Sequence, residues 1–129
     1  MSYTISQVAK KTNLSIHTIR YYDKEGLFPF LDRDNGTRVF HDQDVEWIDL
    51  ISCLKHTGMP IKELRTFTEC CTSYEMLVER GLAILSRHRN NVLKQIEETQ
   101  RSLETIDYKI KHLPQMYKEK FAAKERLPV

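Results

Sequence analysis

Apolar side chains recur at helical spacing from the first turn of the chain. Ile5, Val8 and Ala9 form a stripe behind Thr4-Ile5-Ser6-Gln7. That is a capping-box sequence, in which the Thr hydroxyl accepts the third helical N–H and the Gln side chain reaches back. Lys11-Thr12-Asn13-Leu14 reads as a short turn. Ser15 then offers a second N-cap ahead of Ile16, Ile19 and Tyr22, and Gly26 closes that helix. Two short helices joined this way make a helix-turn-helix pattern, although any small helical hairpin satisfies the same spacing. The period changes at Phe30-Leu31. Asn35-Gly36 is a strong hairpin signal, because both central positions of a type I′ turn need positive φ. This hairpin carries Arg33 and Arg38 near its tip, and a hairpin following a helix-turn-helix is the layout of a winged helix. Asp42 or Asp44 caps a third helix, whose apolar side holds Val45, Trp47, Ile48, Ile51 and Leu54. Gly58 ends it, and Pro60 sits where a first-turn proline is tolerated. A fourth helix runs from Ile61 through Leu64 and Phe67 to Cys70-Cys71, with Thr72-Ser73 as a break.

The clearest periodicity lies in the second half. A 3-4 seam falls on Leu82, Leu85, Arg89, Val92, Ile96, Thr99, Leu103, Ile106, Ile110 and Leu113, and Pro114 is expected to end the run. Such a helix is roughly 48 Å long, far beyond the ordinary helix of a globular protein. A seam this narrow, with charged flanks, calls for a partner helix. Nothing else in the chain is long enough, so a coiled coil between two copies is expected; packing lengthwise on its own head is the alternative. Polar Arg89 and Thr99 weaken the seam locally and are the kind of residues that set register. The fold class is therefore mainly α: a winged helix-turn-helix domain over 1–72, a dimerisation helix over 76–113 and a short tail over 114–129. The tail mixes Met116, Tyr117 and Phe121 with Lys and Glu, which leaves both a folded-back and a disordered form open.

Composition mainly excludes. In a chain of 129 residues, 29% are charged and 40% hydrophobic, which suits a globular helical protein. No apolar run approaches the length of a bilayer span and MSYTISQVAKK lacks the apolar core of a signal peptide, so a cytoplasmic protein without membrane contact is expected. The 3 Cys, two of them adjacent, imply no disulfide framework. With only 4 Gly there is no phosphate-binding loop, and no nucleophile–base–oxyanion set stands out, so neither a cofactor nor enzymatic activity is expected. The net charge is only +2, and the first 62 residues are neutral. The field of the whole domain thus announces no nucleic acid, and recognition has to rest on individual residues.

Those residues do carry a resemblance. Thr4-Ile5-Ser6-Gln7-Val8-Ala9, Thr18-Ile19-Arg20-Tyr21-Tyr22-Asp23-Lys24-Glu25-Gly26-Leu27, Arg38-Val39-Phe40 and Gly58-Met59-Pro60-Ile61-Lys62-Glu63-Leu64 closely resemble the MerR family of bacterial transcription regulators. Asp107-Tyr108-Lys109-Ile110 is similar to its thiol- or aldehyde-stress branch. The resemblance implies a homodimer with antiparallel dimer helices, whose two heads bind one pseudo-palindromic operator in double-stranded DNA. It further implies a promoter whose elements are too far apart for RNA polymerase until the bound protein bends and untwists the DNA. Deformation of a short site costs several kcal/mol, repaid at both half-sites. By position, Ser15, His17 and Thr18 open the recognition helix towards base edges, and Arg20 and Tyr21 are expected at phosphates or bases. Tyr22 falls on the apolar stripe and reads equally as DNA contact or core. Arg38 matches the wing arginine of the family and is expected at the DNA backbone, while Arg33, Lys55 and Lys62 are further phosphate partners or plain surface charges. Leu27-Phe28-Pro29-Phe30-Leu31 is more apolar than a usual wing lead-in, and packing on the partner subunit is one reading of it.

The effector is the least legible part. About 16 residues follow Leu113, too few for the large drug-binding domain of some relatives. No Cys follows Cys71 and no C-x-x-C pair occurs, so no metal site is expected. Cys53 lies on the less apolar side of the third helix beside Asp49 and His56, which makes it the candidate for sensing an electrophile or oxidant. An inert thiol covered by the other subunit is the plain alternative. Cys70-Cys71 reads as packing at a helix end, with soft-metal binding or oxidation of the adjacent thiols as the alternative. The competing class is a coiled-coil thiol- or metal-handling protein whose helix-turn-helix is only a structural head.

Overall fold

A computed structural model describes residues 1–34 and 36–125; for residues 32–34, 124 and 125 it describes the backbone alone. The chain divides into two compact units, Met1–His88 and Arg89–Val129. The first holds β1 (Ser2–Tyr3), α1 (Ile5–Thr12), α2 (Ile16–Lys24), β2 (Asp32–Asp34), β3 (Thr37–His41), α3 (Asp42–His56), α4 (Ile61–Cys70) and α5 (Tyr74–Met76). A π-helical turn, Leu77–Gly81, leads from α5 into α6 (Leu82–Glu125), most of which forms the second unit.

Local chemistry explains these boundaries. The capping box at Thr4 forms as its sequence predicts: Gln7 N–H donates to Thr4 Oγ1 at 3.3 Å and Thr4 N–H donates to Gln7 Oε1 at 2.9 Å. Asn13 takes the left-handed conformation (φ 58°) that turns the chain from α1 towards α2, a position where Asn is among the tolerated residues. Ser15 Oγ accepts Thr18 N–H at 3.0 Å and starts α2. Gly26 (φ 79°) ends α2 in a Schellman arrangement: Leu27 N–H donates to Tyr22 O at 3.1 Å and Gly26 N–H to Asp23 O at 3.0 Å.

Three expectations are corrected here. Neither Asp42 nor Asp44 occupies the N-cap of α3; His41 does, and Asp44 reaches back from the third helical position to accept His41 N–H at 2.8 Å. The wing hairpin gains a strand that its sequence did not announce. Ser2–Tyr3 pairs antiparallel with β3, giving the order β1-β3-β2 with Tyr3 opposite Phe40 and Arg33 opposite Arg38. Asn35 of the expected Asn-Gly turn lies outside the described residues, while Gly36 has the positive φ (81°) that such a turn requires. Finally, Pro114 does not end the long helix, which runs on to Glu125 and takes up much of the expected tail.

The core of the first unit forms where α1, α2, α3 and α4 bury one face each around Val8, Ile19, Phe40, Ile51, Leu64 and Phe67. Trp47 stacks on Phe67 with ring centroids 6.0 Å apart and donates its indole N–H to Leu27 O at 2.7 Å. Even a half-buried Trp needs such a partner for its only polar atom. Ile84 and His88 bring the start of α6 into the same core, where His88 Nε2 lies 2.7 Å from Thr57 Oγ1. Among the described residues no helix is long and apolar enough to cross a membrane.

Candidate nucleic-acid interface

Between the helix-turn-helix and the wing runs a groove of about 680 Å³, lined by Tyr3, Thr4, Gln7, Arg20, Thr37 and Arg38 among others. Arg20 reaches it from the solvent side of α2, opposite buried Ile19, so the helix that packs into the core also presents a cation outward. Across the groove the wing is fastened to that same helix. Arg38 holds Asp23 bidentately, Nη2 to Oδ1 at 2.7 Å and Nε to Oδ2 at 2.8 Å, and its Nη1 donates to Leu31 O at 3.2 Å. The paired side chains are 27% and 22% exposed, so the fork is partly shielded from water. Arg38 is thus half-buried and still lines the groove, while its hydrogen-bonding fork joins β3 to α2.

The other expected residues fall into three groups. Ser15, His17, Arg20 and Tyr21 are exposed on α2 or at its start, as are Lys55 in the last turn of α3 and Lys62 in the first turn of α4. Thr18 is half-buried, and its hydroxyl accepts from Ser15 Oγ at 2.9 Å. Tyr22 is the clear correction. It is 6% exposed, its ring meets Phe28 edge-on at 6.4 Å, and burial followed by the neighbouring Tyr21 raises its phenol pKa. Tyr22 thus belongs to the core and keeps its proton. The side chain of Arg33 lies outside the described residues.

Sequence reasoning missed Asp23 and Arg65. The guanidinium of Arg65 pairs with Glu25 and its Nε donates to Glu25 O at 3.1 Å, tying α4 to the end of α2. Both ties join residues distant in the chain, so no local periodicity shows them; an acid next to the Tyr-Tyr pair and an arginine in the wing were the available signals. Tyr3 adds a third tie, donating to Asp42 Oδ1 at 2.6 Å, and this bond is the first cause of its raised phenol pKa.

The thiols separate by burial. Cys53 is exposed, Cys71 half-buried and Cys70 buried. Burial, then the neighbouring Cys70, pushes the Cys71 thiol up and so away from thiolate chemistry at neutral pH. Cys53 O accepts Thr57 Oγ1–H at 2.8 Å. Among the described residues no group of three or more His, Cys, Asp or Glu side chains is placed to hold a metal ion.

Comparison with known proteins agrees with this geometry. The model of the MerR HTH family regulatory protein matches residues 3–69. An uncharacterized HTH-type transcriptional regulator of Haemophilus influenzae (strain ATCC 51907 / DSM 11121 / KW20 / Rd) is 40% identical over 111 residues, which cover 85% of this chain and 82% of that protein. The crystal structure of HiNmlR, a MerR family regulator lacking the sensor domain, bound to promoter DNA, is similar at TM-score 0.82 and 39% identity, covering 89% of this chain and 92% of that one. A MerR family transcriptional regulator from Bacillus thuringiensis is similar at TM-score 0.78 and 41% identity, covering 85% and 97% of the two chains. A helix-turn-helix with its wing clamped on the recognition helix, matched over these lengths, settles the assignment: the chain belongs to the MerR family of DNA-binding transcription regulators, which are not enzymes.

Proposed function

We propose that two copies of this chain pair through α6 and place their heads on the two halves of a pseudo-palindromic promoter operator. The observation that carries this reading is the exposed aliphatic stripe of α6. Leu82, Ile96, Leu103, Ile106 and Ile110 are 48–69% exposed in the single chain, at coiled-coil spacing. Leu85, Val92 and Leu113 of the same seam are half-buried. An apolar stripe of this length left in water is costly, and a second copy covers it most simply. The antiparallel orientation follows from the family resemblance.

In this reading Ser15, His17, Thr18 and Tyr21 face base edges and the backbone beside them. Arg20, Arg33, Lys55 and Lys62 take phosphates, and Arg38 places the wing. Binding bends and untwists the site so that RNA polymerase, in the cytoplasm, engages promoter elements otherwise out of register. HiNmlR, a similar MerR family regulator bound to promoter DNA, supports the operator-binding reading. Exposed Cys53, in the α3 turn whose Thr57 contacts His88 of α6, is the place where an electrophile or oxidant acts. The test is a DNase footprint on DNA upstream of the protein's own gene, at one stated salt concentration, with reduced and thiol-alkylated protein side by side. The expected result is a protected palindrome with hypersensitive central positions that change on alkylation. Protection indifferent to alkylation removes Cys53 as sensor; absence of protection there and in a genomic selection removes the operator reading.

A further inference from the structure

The apolar run Leu27–Leu31 has a use that DNA binding does not absorb. Leu27 and Phe28 are buried, yet Phe30 is 52% exposed while meeting Trp47 edge-on at 6.2 Å. Under Phe30 a cavity of about 190 Å³ opens between this run and the first turns of α3. Phe28, Phe30, Trp47 and Ile48 form its apolar walls, and Gln43 and Asp44 supply its polar ones. A dry apolar cavity of about 150 Å³ already accepts benzene, so this space suits one aromatic ring with a short chain.

Asp44 gives the cavity its chemical preference. It is 7% exposed and is the only ionisable group among the described lining residues. Its Oδ2 accepts His41 N–H at 2.8 Å, while a carboxylate has acceptor capacity for about four hydrogen bonds. The positive end of α3 offsets roughly half of its charge, so the carboxylate keeps a net attraction for a cation. Aromatic faces beside a shielded carboxylate favour a cation twice, through the ring quadrupole and through a charge-assisted hydrogen bond.

We propose that this cavity binds a small organic cation, an arylalkylammonium ion, with its ring against the apolar wall of Phe28, Phe30 and Trp47 and its ammonium on Asp44. The site stands apart from the DNA groove but shares a residue with its clamp. Leu31 lines the cavity and its carbonyl accepts from Arg38 Nη1 at 3.2 Å, so an occupant bears on the wing.

Trp47, the only tryptophan, is a built-in reporter. Its emission is titrated in the full-length protein with 2-phenylethylammonium chloride and with neutral 2-phenylethanol at fixed ionic strength. The expected result is a saturable change, with the ammonium binding at least about fivefold tighter than the alcohol. In Asp44→Asn, which keeps an acceptor for His41 N–H, that preference disappears while the alcohol affinity stays. Phe30→Ala, at an exposed ring, weakens both probes. If Asp44→Asn fails to fold, the two wild-type titrations and Phe30→Ala decide the matter. No saturable change with the ammonium, equal affinity for both probes in the wild type, or an ammonium preference that survives in folded Asp44→Asn would overturn the proposal.

Discussion

The fork between Arg38 and Asp23 shows how far a single residue is legible in the chain. An arginine in the wing is visible from its position after the hairpin turn; that its guanidinium is spent on α2 is not, because Asp23 lies 15 residues away on another element. The pair makes a sharp prediction. Arg38→Ala and Asp23→Ala each weaken operator binding about tenfold, from the ~1.5 kcal/mol typical of a charged hydrogen bond, and the double variant is no weaker than either alone. Fluorescence anisotropy on one operator measures all three. Additive losses would mean that Arg38 contacts DNA directly. Tyr22 teaches the converse lesson: its spacing allowed core or interface, and only the ring of Phe28 against it decides. The thiols yield a second prediction at this scale. Timed labelling with iodoacetamide, read by peptide mass spectrometry, modifies Cys53 first and buried Cys70 last. Because the Cys71 pKa is raised, its thiolate fraction at pH 7 is small, and its labelling accelerates as pH rises towards that raised value.

At the scale of elements, the head was readable because its signals are local. Thr4-x-x-Gln7, Ser15 and Gly26 each fix one end of one helix through bonds within a few residues, and all three act as their residue types predict. Strand β1 was not readable. Ser2–Tyr3 is too short for any period and owes its form to β3, 37 to 39 residues further on. Pro114 marks the limit of a local rule. A proline costs a helix interior about 3 kcal/mol, since it removes one hydrogen bond and crowds the carbonyl four residues before it. The flanks Lys109-Ile110-Lys111-His112-Leu113 and Gln115-Met116-Tyr117-Lys118 contain no glycine, and strong helix formers on both sides carry α6 across the gap. Pro114→Ala therefore restores a donor to Ile110 O and raises the amide protection of residues 113–118 in hydrogen exchange, with a higher thermal midpoint. Unchanged protection would place the helix end at Pro114 after all.

At the scale of the whole molecule, the near-neutral charge and the DNA-binding role are compatible if, as proposed, recognition is concentrated in few cations on α2, the wing, α3 and α4. Composition spoke only to what is absent. The family string in α2 and the wing carried the function, and the seam of α6 carried the expected assembly, since a narrow apolar stripe on a charged helix has few other uses. The proposed sensing elements, Cys53 and the cavity beside Trp47, are single local features that no periodicity marks.

Pairing of two chains on one operator through α6 is best measured by sedimentation equilibrium on a fluorescent operator duplex. Wild-type protein is expected to bind as two chains per duplex. Ile96→Asp, which places a charge on a seam position that is 59% exposed in the single chain, is expected to sediment as a folded monomer and to lose at least about 100-fold in operator affinity, because each head then binds alone. One wild-type chain per duplex, or an Ile96→Asp variant that still binds as a pair with full affinity, would contradict the account.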